Sequence, residues 1–440
     1  MNPRYERWRR LTFAITWLIY AGFYFTRQAF GVAKIALEKD PQIRLQRDQL
    51  GQVDSAYLTT YMLGQFIFGP MGDRFGPRRI LLVGMALSII AAIASGCSTT
   101  LAAFVAFAAV QGVAQSTGWS NSAKVMSSWF SLRERGRVLG WWCTHYTVGS
   151  AAALAFAGSL MDYFGTAPSQ SGADAHVIPY WPAAFWGSAA VLACVWGLSI
   201  VLLRNRPEDV GLPPIEDYQG ETDTIVDEHE KATVPQGSEG SWQVIREVLC
   251  TPSVWILSLA YFSVKLTRYA FYFWGPLYVS ESLHSDALGS GLVSAVMPIG
   301  GVLGVVATGY ISDKLFQARR APVAILSLLA TAAIMFIGLF PINNYWVMVG
   351  FFFLAGAFLF GPDSLISATA SVDFGTKRGA GTATGFVNGI GSIGGILGGY
   401  LPGKITTDQN WTPLFVVMLV GLCVSALLLA PLWRVKPPTS

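Results

Sequence analysis

Long apolar runs without a single charge are what most restrict the fold of this chain. Residues 11–26, 80–119 and 183–203 contain no Asp, Glu, Lys or Arg. A helix needs about 20 predominantly apolar residues to cross the hydrocarbon core of a bilayer. A soluble protein carries about 25% charged residues. Here the 440 residues are 13% charged and 52% hydrophobic, with a mean hydropathy of +0.45. The chain is therefore expected to be an all-α polytopic membrane protein, with the lipid bilayer as its solvent. Runs of span length fall at 11–36, 51–71, 79–97, 101–127, 136–163, 180–203, 250–281, 287–311, 321–341, 344–371, 379–402 and 411–433, which makes twelve transmembrane helices. Met1–Arg10 is basic and polar, and the apolar run behind it continues past signal length, so no cleavable signal peptide is expected.

The basic residues sit in short clusters between the runs. One side carries Arg4, Arg7, Arg9 and Arg10, then Arg74, Arg78 and Arg79, then Arg133, Arg135 and Arg137. The same side carries Lys314, Arg319 and Arg320, then Lys377 and Arg378, then Arg434 and Lys436. The other side has Lys39, Arg44, Arg47 and Lys404 and little else. Positive-inside bias then puts both termini in the cytoplasm, and a bacterial inner membrane is the expected location. Clusters that serve orientation leave the net charge of +4 without meaning for nucleic acid, which is not expected as a partner. Residues 204–248 are polar, acidic and rich in Pro and Gly, and read as a cytoplasmic linker between an N-terminal half, 1–203, and a C-terminal half, 249–440.

The halves repeat. Thr26-Arg27-Gln28-Ala29-Phe30 returns as Thr267-Arg268-Tyr269-Ala270-Phe271, an offset of 241 residues. Asp73, after the second span, returns as Asp313 after the eighth, at 240, and Arg135-Gly136 returns as Arg378-Gly379, at 243. Apolar helices resemble one another by composition, but charged landmarks at one displacement do not arise that way. Two six-span halves so related place a binding site at the midplane between them.

The segment Gly69-x-x-x-Asp73-Arg74-x-Gly76-x-Arg78-Arg79 resembles the cytoplasmic loop signature of the major facilitator superfamily, and Gly309-x-x-x-Asp313-Lys314 resembles a second copy. Asp73, Arg74, Asp313 and Lys314 are expected to gate, an acid at a helix end latching onto facing bases. A narrower resemblance runs along nearly the whole chain. It rests on Tyr5-x-x-Trp8-Arg9-Arg10, Tyr24-Phe25-Thr26-Arg27, Gln115-x-x-Gly118-Trp119, Trp142-Cys143-Thr144-His145, Arg206-Pro207-x-Asp209-x-Gly211-Leu212, Arg268 with Trp274-Gly275, and Phe360-Gly361-Pro362. In this order the segments are similar to the organophosphate:phosphate antiporter family. The resemblance implies exchange of a small organic phosphate for inorganic phosphate by a monomer in two pseudo-symmetric six-helix halves. A family branch that senses external hexose phosphate, and a proton-coupled carrier of another organic anion, stay open as alternatives. The chain departs from well-known members at Gln28 and Gln65, where they have Lys, at Pro298, where they have Glu, and at Asp363, where they are apolar.

Charges inside spans are costly and usually line a cavity. Arg27 and Arg268 occupy equivalent positions, and the pseudo-two-fold would bring them face to face. A guanidinium stays charged and matches phosphate oxygens with a planar fork. The resemblance makes these two the paired phosphate-binding arginines; the alternative is structural arginines bonded to span carbonyls. His145 can change charge near neutral pH; the resemblance makes it a substrate ligand, and otherwise it bonds a carbonyl. Lys265 and Lys124 are candidates for a positive funnel, whereas Lys34 is expected to snorkel to the outer interface. Asp363 is expected to balance a cavity lysine or arginine, foremost through a salt bridge with Lys124 or Lys265, or to carry a proton. Tyr24, Trp119, Tyr146, Tyr269, Tyr272 and Trp274 either shape the pocket of the organic moiety or pack. Gly381, Gly385 and Gly389 recur every four residues, as on faces where helices pack closely. The five cysteines and four histidines are dispersed without metal-ligand spacing or a disulfide framework, and no phosphate-cradling loop or nucleophile–base pair is present. No metal, no cofactor and no enzymatic activity are expected.

Overall fold

The computed structural model describes residues 2–40, 43–130, 138, 141–165, 179–219, 246–316, 319–370, 380–406 and 410–434. The landmarks Arg135 and Arg378 lie outside these residues, as do the side chains of Asp73 and Asp313. The first half runs α1 (Pro3–Leu37), α2 (Arg47–Phe75), α3 (Pro77–Gly96), α4 (Leu101–Ser116), α5 (Gly118–Trp129), α6 (Thr144–Tyr163) and α7 (Pro182–Leu202). A short helix α8 (Ile215–Gln219) follows. The second half runs α9 (Pro252–Leu283), α10 (Ala287–Lys314), α11 (Arg320–Ile337), α12 (Tyr345–Ser364), α13 (Ala380–Ile405) and α14 (Thr412–Leu429). With α4 and α5 sharing one span, the long helices follow the expected runs. Seven of the described spans are long and apolar enough to cross a membrane on those two properties alone. The helices α1 and α9, which carry Arg27, Lys34, Lys265 and Arg268, are not among the seven.

The chain divides into two compact units, Met1–Thr222 with Gly275–Ala295, and Asp223–Trp274 with Val296–Ser440. In the first unit, α1 begins at an N-cap whose Asn2 side chain accepts from the Arg4 N–H, with Pro3 in the first turn, where its missing N–H costs nothing. The break between α4 and α5 has a local cause. The Thr117 hydroxyl donates to the Ala114 carbonyl at 2.7 Å, and Tyr20 and Phe23 of α1 lie close against Gly118. Unit one also holds the end of α9 and the start of α10. Arg47 bridges Glu38 at 2.8 Å and Glu281, and Asp162 accepts from the Leu288 N–H at 2.6 Å, which caps α10.

Sixteen residues of the expected linker, 204–219, pack against this unit instead of running free. Leu212 and Ile215 are buried in the core formed by α1, α3, α5 and α7. Tyr218 stacks on Tyr5 with ring centroids 3.9 Å apart. Apolar residues dispersed in a polar stretch were enough to dock it, and composition averaged over the whole segment hid them.

In the second unit, α14 shows how a span faces two media. Leu414, Met418, Leu422, Ala426 and Leu429 are buried, whereas Val416, Val420, Val424 and Leu427 are exposed. A stripe of exposed aliphatic residues is costly in water and suited to hydrocarbon. Close helix packing falls elsewhere than the glycine spacing suggested. Gly385 and Gly389 meet nothing within 4 Å, while a Cβ on Gly394 or Gly398 of α13 would sit 2.0 or 2.4 Å from carbonyl oxygens of α9. The surroundings of Gly381 lie outside the described residues; among the described glycines of α13, those on the face of Gly394 and Gly398 meet a neighbouring helix.

Candidate functional site

In unit one, α1 presents Arg27 to an aromatic wall. The guanidinium carbon lies 4.6 Å from the ring centre of Tyr24, 5.0 Å from Tyr61 and 5.9 Å from Tyr57. Its Nε donates to the Gln115 side-chain oxygen at 2.9 Å. That oxygen also accepts from the Tyr57 hydroxyl at 2.9 Å, while the Gln115 amide nitrogen donates to Thr26 Oγ1 at 2.9 Å and to the Phe23 carbonyl. Gln115 is fully buried and its amide is fixed by four bonds, so it fixes Arg27 in turn. One Nη of Arg27 is buried with no partner among the described residues, and no described carboxylate bonds the guanidinium. A buried donor of this kind costs about 1–3 kcal/mol while it goes unmade.

His145, near the start of α6, stands beside this wall. Its ring lies 4.3 Å from Tyr20 and 4.3 Å from Trp142, with Trp119 at 6.2 Å. The residue is fully buried, and neither ring nitrogen has a partner among the described residues. The expected alternative, a bond to a backbone carbonyl, is not made. Trp119 is 42% exposed, so one face of this aromatic group is open. Lys124 is half-buried on α5, nine residues beyond Gln115. At about 1.5 Å per residue it lies some ~13 Å further along the span. Gln28 is buried and donates to Ser150 Oγ at 2.8 Å, tying α1 to α6.

In unit two, Tyr261, Lys265, Arg268 and Tyr272 recur at helical spacing along α9. Arg268 Nη1 donates to Asp363 Oδ2 at 2.6 Å, and the Tyr261 hydroxyl donates to Asp363 Oδ1 at 3.2 Å. The guanidinium lies 4.9 Å from the Phe360 ring centre, 5.4 Å from Tyr272 and 6.0 Å from Tyr269. Lys265 instead donates to the Asn388 carbonyl at 3.3 Å and to Ser392 Oγ at 3.2 Å on α13. The expected bridge from Asp363 to Lys124 or Lys265 is thus replaced by one to Arg268. Asp363 follows Pro362 at the end of α12, where the helix widens into a π turn, Leu365–Ala370. Proline and π turns redirect a helix, and Asp363 lies between the two.

Other expectations resolve differently. Lys34 does not snorkel: it is fully buried on α1 and bonded to Asp54 of α2, itself 2% exposed. Lys34 stands in the last turn of α1, and its pairing with Asp54 leaves neither buried charge uncompensated. Trp274 is a packing residue, its Nε1 donating to the Gly399 carbonyl at 2.9 Å. Arg74 and Lys314, expected to gate, are exposed and lie over the rings of Phe75 and Tyr310. Tyr57 and Tyr61 are the site residues that sequence reasoning missed. Their spacing of four on α2 was the available signal, and nothing in the sequence says which α2 face meets α1.

Comparison with known proteins gives these clusters their setting. The profile described as Major Facilitator Superfamily matches residues 16–399 and 319–440. The membrane sensor protein UhpC of Salmonella typhimurium is 31% identical over 100% of this chain and 94% of its own length. The probable hexose phosphate transport protein of Chlamydia trachomatis is 29% identical over 99% of this chain and 93% of its own. A bacterial homolog of the human lysosomal transporter Spinster, solved inward-facing and unoccupied, superposes with a TM-score of 0.69 at 16% identity over 98% of this chain and 96% of its own, which supports the fold. The chain belongs to the major facilitator superfamily and, within it, to the organophosphate:phosphate antiporter family.

Proposed function

We propose that the protein exchanges a small organic phosphate, of the sugar phosphate or glycerol phosphate type, for inorganic phosphate by alternating access. In this reading Arg27 and Arg268 grip the phosphoryl group and His145 assists. Trp119, Tyr24 and Tyr269 border the organic moiety, and Lys265 and Lys124 raise the local anion concentration. The carrier works as a monomer in a bacterial inner membrane with both termini in the cytoplasm, and Asp73, Arg74, Asp313 and Lys314 latch its halves.

The observation that carries the reading is Arg27: a guanidinium fixed by a buried amide and tyrosine faces, with a buried donor left over and no described carboxylate to balance it. A phosphate oxygen supplies both the acceptor and the charge. An uncompensated cation inside a span also favours exchange, because the carrier is costly to turn over without an anion. The test is counterflow of labelled phosphate in proteoliposomes. Arg27→Lys and Arg268→Lys keep the charge and lose the fork, so each should cut uptake at least tenfold while the protein still melts cooperatively. Full exchange in either variant refutes the clamp. The similarity to a membrane sensor favours one second reading, in which the same site binds phosphate and signals. Absence of counterflow from vesicles holding wild-type protein that still binds phosphate would decide for it.

A further inference from the structure

Arg27 and Arg268 differ by one charge in what holds them. Both reach from the first span of their half to its fourth. Arg27 meets the neutral amide of Gln115; Arg268 meets the carboxylate of Asp363 at 2.6 Å. By the repeat offset of 243 the first-half counterpart of Asp363 is Ser120, whose hydroxyl is buried without a partner among the described residues.

We propose that Asp363 stands in for the substrate oxyanion at Arg268 while the carrier is empty, so that phosphate gains this guanidinium only by displacing the carboxylate. The inference rests on the phosphate reading above and adds to it a residue that sets affinity and the degree of coupling. Carboxylate and phosphate oxygens compete for the same N–H donors. Lys34–Asp54 and Arg268–Asp363, two ion pairs inside spans among the described residues, differ in whether such competition is open. The side chains of Lys34 and Asp54 are 0% and 1% exposed, which seals that pair. Those of Arg268 and Asp363 are 16% and 11% exposed, which leaves an edge for an incoming anion.

A displaced Asp363 is not stranded. Its Oδ1 keeps the Tyr261 hydroxyl, and Lys265, within electrostatic reach of both Asp363 and Arg268, is one turn away on α9. Phe360, Tyr269 and Tyr272 line Arg268 with π faces, which hold a cation without competing for its in-plane N–H groups. The consequence concerns the empty carrier. With Asp363 in place, Arg268 adds no unbalanced charge of its own, so less positive charge opposes turnover without substrate. Net phosphate flux should then accompany exchange, in a ratio that Asp363 sets.

The experiment uses the full-length protein, with inorganic phosphate as the probe. Equilibrium binding is measured in detergent, and efflux into phosphate-free buffer is compared with exchange in proteoliposomes. Asp363→Asn, and Asp363→Ser as an independent variant with the residue of the first half, should each bind phosphate at least tenfold more tightly. Each should also lose efflux relative to exchange, and Asp363→Glu should restore wild-type behaviour. Binding that is unchanged or weaker in the folded Asn and Ser variants assigns Asp363 to holding Arg268 in position and overturns the proposal. Wild-type protein that binds no phosphate overturns the phosphate reading and this inference with it. Wild-type binding that falls in Arg27→Lys but stays the same in Asp363→Asn overturns this inference alone.

Discussion

Removing one partner of the Lys34–Asp54 pair should be among the most damaging single changes in the first unit. Both side chains are sealed, 0% and 1% exposed, so neither charge is reached by water when the other is gone. Breaking a buried pair from one side costs about 3–5 kcal/mol, whereas replacing both by apolar residues is often neutral or stabilising. For a unit of this size about 1 kcal/mol moves the melting point by roughly 2–4 °C. Lys34→Met and Asp54→Leu should therefore each lower it by about 6–20 °C. The double variant should return to within a few degrees of wild type. Thermal unfolding of purified protein followed by tryptophan fluorescence reads this out, and the four proteins form a double-mutant cycle. The pair also ties α1, which carries Arg27, to α2, which carries Tyr57 and Tyr61. Phosphate affinity should thus fall in the single variants and recover in the double. Single variants that melt within 2 °C of wild type (about the shift of 1 kcal/mol or less), or a double variant whose loss equals the sum of the singles, refute the sealed pair.

Gln115→Leu removes the acceptor shared by Arg27 Nε and the Tyr57 hydroxyl, and should weaken phosphate binding about tenfold, the equivalent of about 1.4 kcal/mol, in equilibrium dialysis. Gly304→Val should prevent folding of the second unit, because even a Cβ at this position would lie 1.9 Å from the Ala357 carbonyl oxygen of α12; loss of monodisperse protein on gel filtration is the readout.

The spans were legible because length, apolarity and absence of charge are properties of contiguous residues. Arg27 and Arg268 were legible because a duplicated chain repeats its charged landmarks at one offset. The Gln115 segment was visible as a motif, but its task was not: that one amide would accept from Arg27 and Tyr57 and donate to Thr26 depends on how α1, α2 and α4 are rotated about their axes. The docking of residues 204–219 was likewise hidden, since two buried aliphatic residues among many polar ones scarcely change a composition.

By itself the sequence determined an all-helical membrane chain whose charged landmarks recur, with Arg27 and Arg268 at matching places in the repeat. Burial in hydrocarbon selects for those features residue by residue, so they are written locally. Only the tertiary structure decided which acid balances which base. Asp54 meets Lys34 across 20 positions of chain, and Asp363 meets Arg268 across 95. Several cations lay within reach of each carboxylate by spacing alone. The choice among them was made by helix rotation and by close approach of neighbouring spans, neither of which is encoded near the residues that pair.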